Sequence, residues 1–162
     1  MIQRIQSLLL LIGAGLSILL LVMHFQQDVL DSNKEIVQTI DYNIFHYTVE
    51  NSEAELIEEG LPLFPMLISL LIVLLSLFSI FLFKKRSLQS IISRFLILLS
   101  AALVVAFIFD LDKIGGIKFM TSAALINYLI IVLPVLMILI FFMANKAILK
   151  DEKLVKSADR IR

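Results

Sequence analysis

Residues 64–83 read FPMLISLLIVLLSLFSIFLF and run directly into Lys84, Lys85 and Arg86. Twenty residues without a charge make about 30 Å of α-helix, which matches the hydrocarbon core of a bilayer. The basic cluster that follows suits both the negative end of a helix and anionic headgroups. The stretch predicts a membrane-crossing helix with a defined polarity. Three more apolar runs lie at residues 8–23, 95–109 and 125–144. With 60% of residues hydrophobic, 17% charged and a mean hydropathy of +0.99, a soluble domain has too little interior to hide all four.

The expected fold is all-α and integral to the membrane, with four transmembrane helices arranged as a four-helix bundle over residues 5–25, 63–83, 91–110 and 125–145. An outer segment over 26–62 and an amphipathic cytoplasmic tail over 146–162 complete one domain. The third span is the shortest, with 15 residues between Arg94 and Asp110. It reaches spanning length when Ile91 and Ile92 are included and Arg94 extends its guanidinium to the headgroups.

Lysine and arginine assign the two sides. Eleven of the 14 fall on the side of the N-terminal stub, the 84–94 connection and the tail, and three on the other. The rich side is expected to be cytoplasmic, so both termini are inside. The acidic residues lean the other way, since nine lie between residues 25 and 63 against the single Lys34. Such a surface repels phosphates, so nucleic acid is excluded as a partner, while membrane lipid fits the basic side. With no cysteine in the chain, disulfide and thiolate chemistry is absent. Arg4 before an apolar run resembles a signal peptide, but no small-residue cleavage pattern follows it, and the first span is expected to be retained.

Gly13 and Gly15 in the first span lack the four-residue spacing of a dimerisation face and predict close packing within the chain. In span two, Ser69 and Ser76 are seven apart, and in span three Ser100, Ala102 and Ala106 form a small side. Both are candidate helix contacts. Pro134 inside span four predicts a bend.

In the outer segment, residues 36–49 (IVQTIDYNIFHYTV) are rich in β-branched and aromatic types. Ile40, Tyr42 and Ile44 alternate with Asp41 and Asn43, which predicts a strand or small hairpin over the helices. Ser52 with Glu55 resembles a capping box and predicts a short helix ending at Gly60. Pro65 fits the first turn of span two, which should begin near Leu63. A turn is expected around residues 87–90, making spans two and three an antiparallel pair.

The search for chemistry finds little. His24, Asp28 and Asp31 would share a face if the first helix continued outward, and with Asp110 and Asp112 could form a cation site, but solvated carboxylates are the simpler reading. His46 between Phe45 and Tyr47 reads as part of an interfacial aromatic cluster. Asn127 and Tyr128 read as interface anchors. No catalytic residue, metal site or cofactor is assigned. Arg94 with Lys84, Lys85 and Arg86 can contact lipid headgroups, or serve topology alone.

The tail keeps a helical pattern, with Leu154, Ala158 and Ile161 on one face, Glu152 and Lys156 paired on another, and Arg160 and Arg162 at its end. Its apolar strip is too thin to insert alone, but it suits headgroups or a protein partner.

The opening Met1, Ile2, Gln3, Arg4, Ile5, Gln6, Ser7 and the closing AILKDEKLVKSADRIR of residues 147–162 resemble the two ends of a bacterial family, domain of unknown function number 4293, associated with the Bacteroidetes group. The resemblance implies an inner-membrane protein with cytoplasmic ends, and it brings no reaction, substrate or cofactor. The functional expectation is a noncatalytic membrane organiser or accessory subunit that docks through its tail. The alternatives are an oligomeric transporter or channel-like subunit with Pro134 and Ser100 near its path, and an enzyme using the outer acidic surface. The nearly ion-free spans argue against a monomeric transporter, because a translocated ion must exchange its hydration near the midplane, whereas an oligomer could assemble a pore that a single chain does not show.

Overall fold

The computed structural model describes residues 2–30, 36–83, 85–114 and 128–159, with side chains from residue 5 onward except at 27, 29, 30, 114, 156, 158 and 159. Among the described residues, four helices are long and apolar enough to cross a membrane. They are α1 (Ile2–Val22), α2 (Leu63–Phe81), α3 (Arg86–Ile114) and α4 (Leu129–Asp159). Between α1 and α2 lie four strands, β1 (His24–Leu30), β2 (Ile36–Asn43), β3 (His46–Asn51) and β4 (Leu56–Gly60), paired antiparallel in the order β1-β2-β3-β4.

Each helix packs on two others, α1 on α2 and α4, and α3 on the same two. The interior between them holds large apolar side chains such as Leu10, Leu96, Leu103, Phe107, Met137 and Phe141, but on α2 the contact face is mostly small and polar, while its large apolar residues face outward. On α2 the buried positions are Pro65, Ser69, Ile72, Ser76 and Ser79, whereas Leu67, Leu74 and Phe78 are exposed. This is the reverse of a water-soluble helix, and it suits a medium as apolar as the side chains themselves. Several buried hydroxyls bond to backbone carbonyls, whereas those of Ser69 and Ser79 find no partner among the described residues. Ser17 Oγ donates to Ser69 O (3.0 Å), Ser76 Oγ to Leu10 O (2.6 Å) and Ser93 Oγ to Phe141 O (3.2 Å). Ser69 and Ser76 are thus contact positions, as their spacing suggests.

Gly13 marks a close approach of α1 to α4, since a Cβ there would lie 2.3 Å from Phe141 Cε1. Gly15 points into open space. Pro134 is buried inside a helix assigned without interruption over Leu129–Asp159.

The outer segment departs from expectation in two ways. Residues 36–49 do contain a hairpin, with Asn43 opposite His46 and Ile44 and Phe45 at its turn. Yet it is the centre of a four-stranded meander, because the chain before and after it also pairs. The helix expected between Ser52 and Gly60 is absent: residues 52–54 turn, and β4 pairs with β3. A helix there would be a couple of turns at most, too short to offset its nucleation cost, and Leu56 and Ile57 would have no core to enter. The edge of β3 instead supplies partners for the backbone. Ala54 takes a positive φ of 58° at this turn. Gly60 is required opposite Tyr47, whose ring would stand 2.6–2.7 Å from any Cβ.

α1 stops at Val22, so His24 and Asp28 lie on a strand rather than on a continued helix. The expected turn at 87–90 is also displaced. The chain turns at 82–83, and Ser87 to Ser90 already belong to the first turns of α3.

One face of the sheet covers the helices. Phe25, Ile40, Tyr42, Ile44 and Val49 are buried, with Phe25 opposite Tyr42 and Ile40 opposite Val49. The Tyr42 ring meets Phe107 of α3 edge-on, centroids 6.4 Å apart. The sheet therefore sits at the end of the helices opposite the tail.

Candidate functional site

Two polar regions stand out, one at each end of the helices. At the tail end, side chains from α1 and α3 reach across to α4. Gln6 Nε2 donates to Ala147 O (3.0 Å), Ser90 Oγ to Asn145 Oδ1 (3.0 Å), and Arg94 Nη2 to Ser90 Oγ (3.3 Å). Gln89 Nε2 donates to Ser79 O (3.1 Å) and ties α3 back to α2. Arg86 Nε lies 3.0 Å from Asp151 Oδ2, an ion pair by distance whose N–H is not aimed squarely at the oxygen. Lys146 Nζ stands 4.8 Å above the Phe142 ring, a cation–π contact.

These contacts fix α4 as far as Asp151. Past that point Leu154 and Val155 are exposed, on a helix that continues unbroken to Asp159. Of the basic residues singled out as headgroup contacts, Lys85 is exposed, Arg94 is engaged by Ser90 and Arg86 by Asp151. Lys84, Arg160, Ile161 and Arg162, together with the side chains of Ala158 and Lys156, lie outside the described residues.

At the sheet end, Asp110 is buried within α3 beside the Tyr42 hydroxyl, and its Oδ1 is 3.9 Å from Lys113 Nζ. The two groups face each other closely enough to interact, but among the described residues neither Tyr42 Oη nor Asp110 Oδ2 completes a well-aligned hydrogen bond. A groove of about 350 Å³ opens from Asp110 and Lys113 along α2 and α3, past Phe64, Ala102, Ala106 and Phe109. Ala102 and Ala106, expected at a helix contact, line this groove instead. Ser100 is buried and donates to Leu96 O of its own helix at 2.9 Å.

The residues considered for a cation site do not converge. His24 Nε2 is 3.1 Å from Asn43 Nδ2, and Asp28 Oδ1 accepts from Thr39 Oγ1 at 3.2 Å. Among the described residues no three His, Asp or Glu side chains gather in a way that could hold a metal. Asp31 and Asn127 lie outside the described residues. His46 shares a shallow pocket of about 230 Å³ with His24, Asp41 and Phe45 on the exposed face of the sheet.

Burial, and then the nearby Asp110 charge, hold the Tyr42 phenol well above the usual phenolic pKa. A folded pKa above the unfolded value of about 10 means that neutral Tyr42 contributes stability fully present below that pH. That contribution is lost as the pH rises through the folded pKa. In an ultraviolet titration of the detergent-solubilised chain, the Tyr42 phenolate should appear only as the protein unfolds, and Tyr42→Phe should remove that component. Reversible ionisation near pH ~10 in the folded protein would contradict the assignment.

Sequence reasoning found Ser69 and Ser76 but not their counterparts Ser17 and Ser93, and it missed both ends. Asp151 reads as one charge among many in a polar tail, and only the crossing of α3 and α4 shows Arg86 as its partner. Asp110 reads as a solvated outer carboxylate until the sheet folds over it. No match is found among curated proteins or solved structures. The family model described as Domain of unknown function (DUF4293) matches residues 2–161, and the chain belongs to that family.

Proposed function

We propose that this is a multi-pass protein of the bacterial inner membrane, with both termini cytoplasmic, acting as a noncatalytic organiser or accessory subunit that docks through the end of α4. The observation that carries this reading is the contrast along α4. The helix is clamped to α1 and α3 through Ala147 and Asp151, then projects two more turns with Leu154 and Val155 exposed. An apolar pair on a braced helix among charged neighbours suits a partner's groove or helix. The interior supports a noncatalytic role, because its serine hydroxyls at positions 17, 76, 93 and 100 are committed to backbone carbonyls. The excess of lysine and arginine at the tail end supports the orientation.

A photo-crosslinking residue at position 154 of the intact chain, in native membranes, tests the docking. The expected product is one reproducible protein adduct that disappears when Val155→Glu is added. Adducts to lipid alone would remove the basis for a docking tail.

A further inference from the structure

We propose that the groove between α2 and α3 holds an acyl chain of a phosphatidylethanolamine-type lipid, whose ammonium sits on Asp110 and whose phosphate sits on Lys113. The inference rests on the membrane reading, and it concerns the opposite end of the helices from the tail.

The walls point to an acyl chain. Phe64 and Phe109 are exposed on either side, while Ala102 and Ala106, one turn apart on α3, leave the depression between them. Small residues of this kind usually let a second helix approach; here none of the described helices occupies the place. The volume of about 350 Å³ falls at the lower end of the range for small-molecule sites, about 300–1,000 Å³.

The charges at its mouth select the headgroup. Asp110 is a groove-lining residue only 8% exposed, and its Oδ2 completes no well-aligned hydrogen bond among the described residues, although the neutral Tyr42 hydroxyl lies beside it. Lys113 does not fill that role, since its ammonium is 3.9 Å away on the other oxygen and its side chain is 69% exposed. A carboxylate held this way needs a charged donor, and leaving it without one is costly. A primary ammonium brings three N–H groups to Asp110, and the attached phosphate brings an anion to Lys113. The headgroup and the residue pair thus present opposite charges in matching order. Phosphatidylcholine has no N–H to donate. Phosphatidylglycerol has no cation, and its net negative charge meets Asp110 unfavourably.

The test is native mass spectrometry of the full chain, delipidated in detergent and titrated with phosphatidylethanolamine, phosphatidylcholine or phosphatidylglycerol of identical acyl chains. The wild-type chain should retain phosphatidylethanolamine about tenfold more tightly than either of the others. Asp110→Asn should abolish that preference while removing only a buried charge. Ala106→Phe, which fills the groove from its wall and leaves both charged residues in place, should weaken all three lipids. Equal retention of the three lipids by the wild-type chain, or an undiminished preference in Asp110→Asn, overturns the inference alone. Retention of no lipid of any kind overturns both it and the membrane reading behind it.

Discussion

Gly13→Ala should destabilise this protein although Gly15→Ala should not, and the two substitutions are chemically identical. In a helix interior, alanine is favoured over glycine by roughly 1 kcal/mol, so both variants start with the same gain. At Gly15 nothing lies within 4 Å of the new methyl, and that gain should survive. At Gly13 the methyl would lie 2.3 Å and 2.5 Å from Cε1 and Cζ of Phe141. The ring has no freedom to yield, because Phe141 is fully buried and its carbonyl is held by Ser93. Either α1 moves away from α4 or the ring leaves its rotamer, and overpacking of this kind costs about 1–3 kcal/mol. Titration from mild detergent into dodecyl sulfate, followed by circular dichroism, measures the loss. Phe141→Leu should be destabilising in the wild-type background and much less so beside Gly13→Ala, a coupling expected only of residues in contact. Equal stability of the Gly13→Ala and Gly15→Ala chains would mean that α1 and α4 do not pack at this point.

The helices were legible because one physical signal, an unbroken apolar run, is strong enough to survive any tertiary context. Their mutual faces were partly legible for a related reason. Within spans made almost wholly of large apolar residues, Ser69 and Ser76 stand out as positions where backbones can approach, and both are buried with α1 against them. Ala102 and Ala106 carried the same signal and took the other outcome, lining a groove, because smallness permits an approach without requiring one. The alternation of Ile40, Tyr42 and Ile44 gave one hairpin correctly, since all three face the helices.

What resisted reading was pairing between distant segments. The residues of β4, LIEEG, have no strand pattern of their own, and they become a strand because the edge of β3 is beside them. The same holds for Arg86 and Asp151, 65 positions apart in sequence, and for Asp110 under Tyr42. Charge counting gives such residues an expected side, but it does not say which of them meet.

The Arg86–Asp151 pair carries the second large prediction, and its asymmetry is what makes it informative. The two side chains are 22% and 12% exposed, so removing one leaves the other in a poorly hydrated place. Arg86→Ala strands a short carboxylate with little access to water. For fully buried pairs that loss is about 3–5 kcal/mol, and the residual exposure here argues for roughly 2 kcal/mol. Asp151→Asn should cost less, because the long arginine stem can carry its guanidinium to the headgroups. The double variant Arg86→Met with Asp151→Leu should recover most of the loss, since two apolar groups leave no charge unpaired. Stability in the same dodecyl sulfate titration should therefore rank wild type, double variant, Asp151→Asn, Arg86→Ala. The pair also ties α4 to α3 one turn before Leu154, so Arg86→Ala should loosen the projecting turns as well. Crosslinks from position 154 would then spread from one protein neighbour to several products, whereas the double variant, rigid but uncharged, should keep the single adduct. If Arg86→Ala leaves both the stability and the crosslink pattern unchanged, the end of α4 is held by something other than this ion pair.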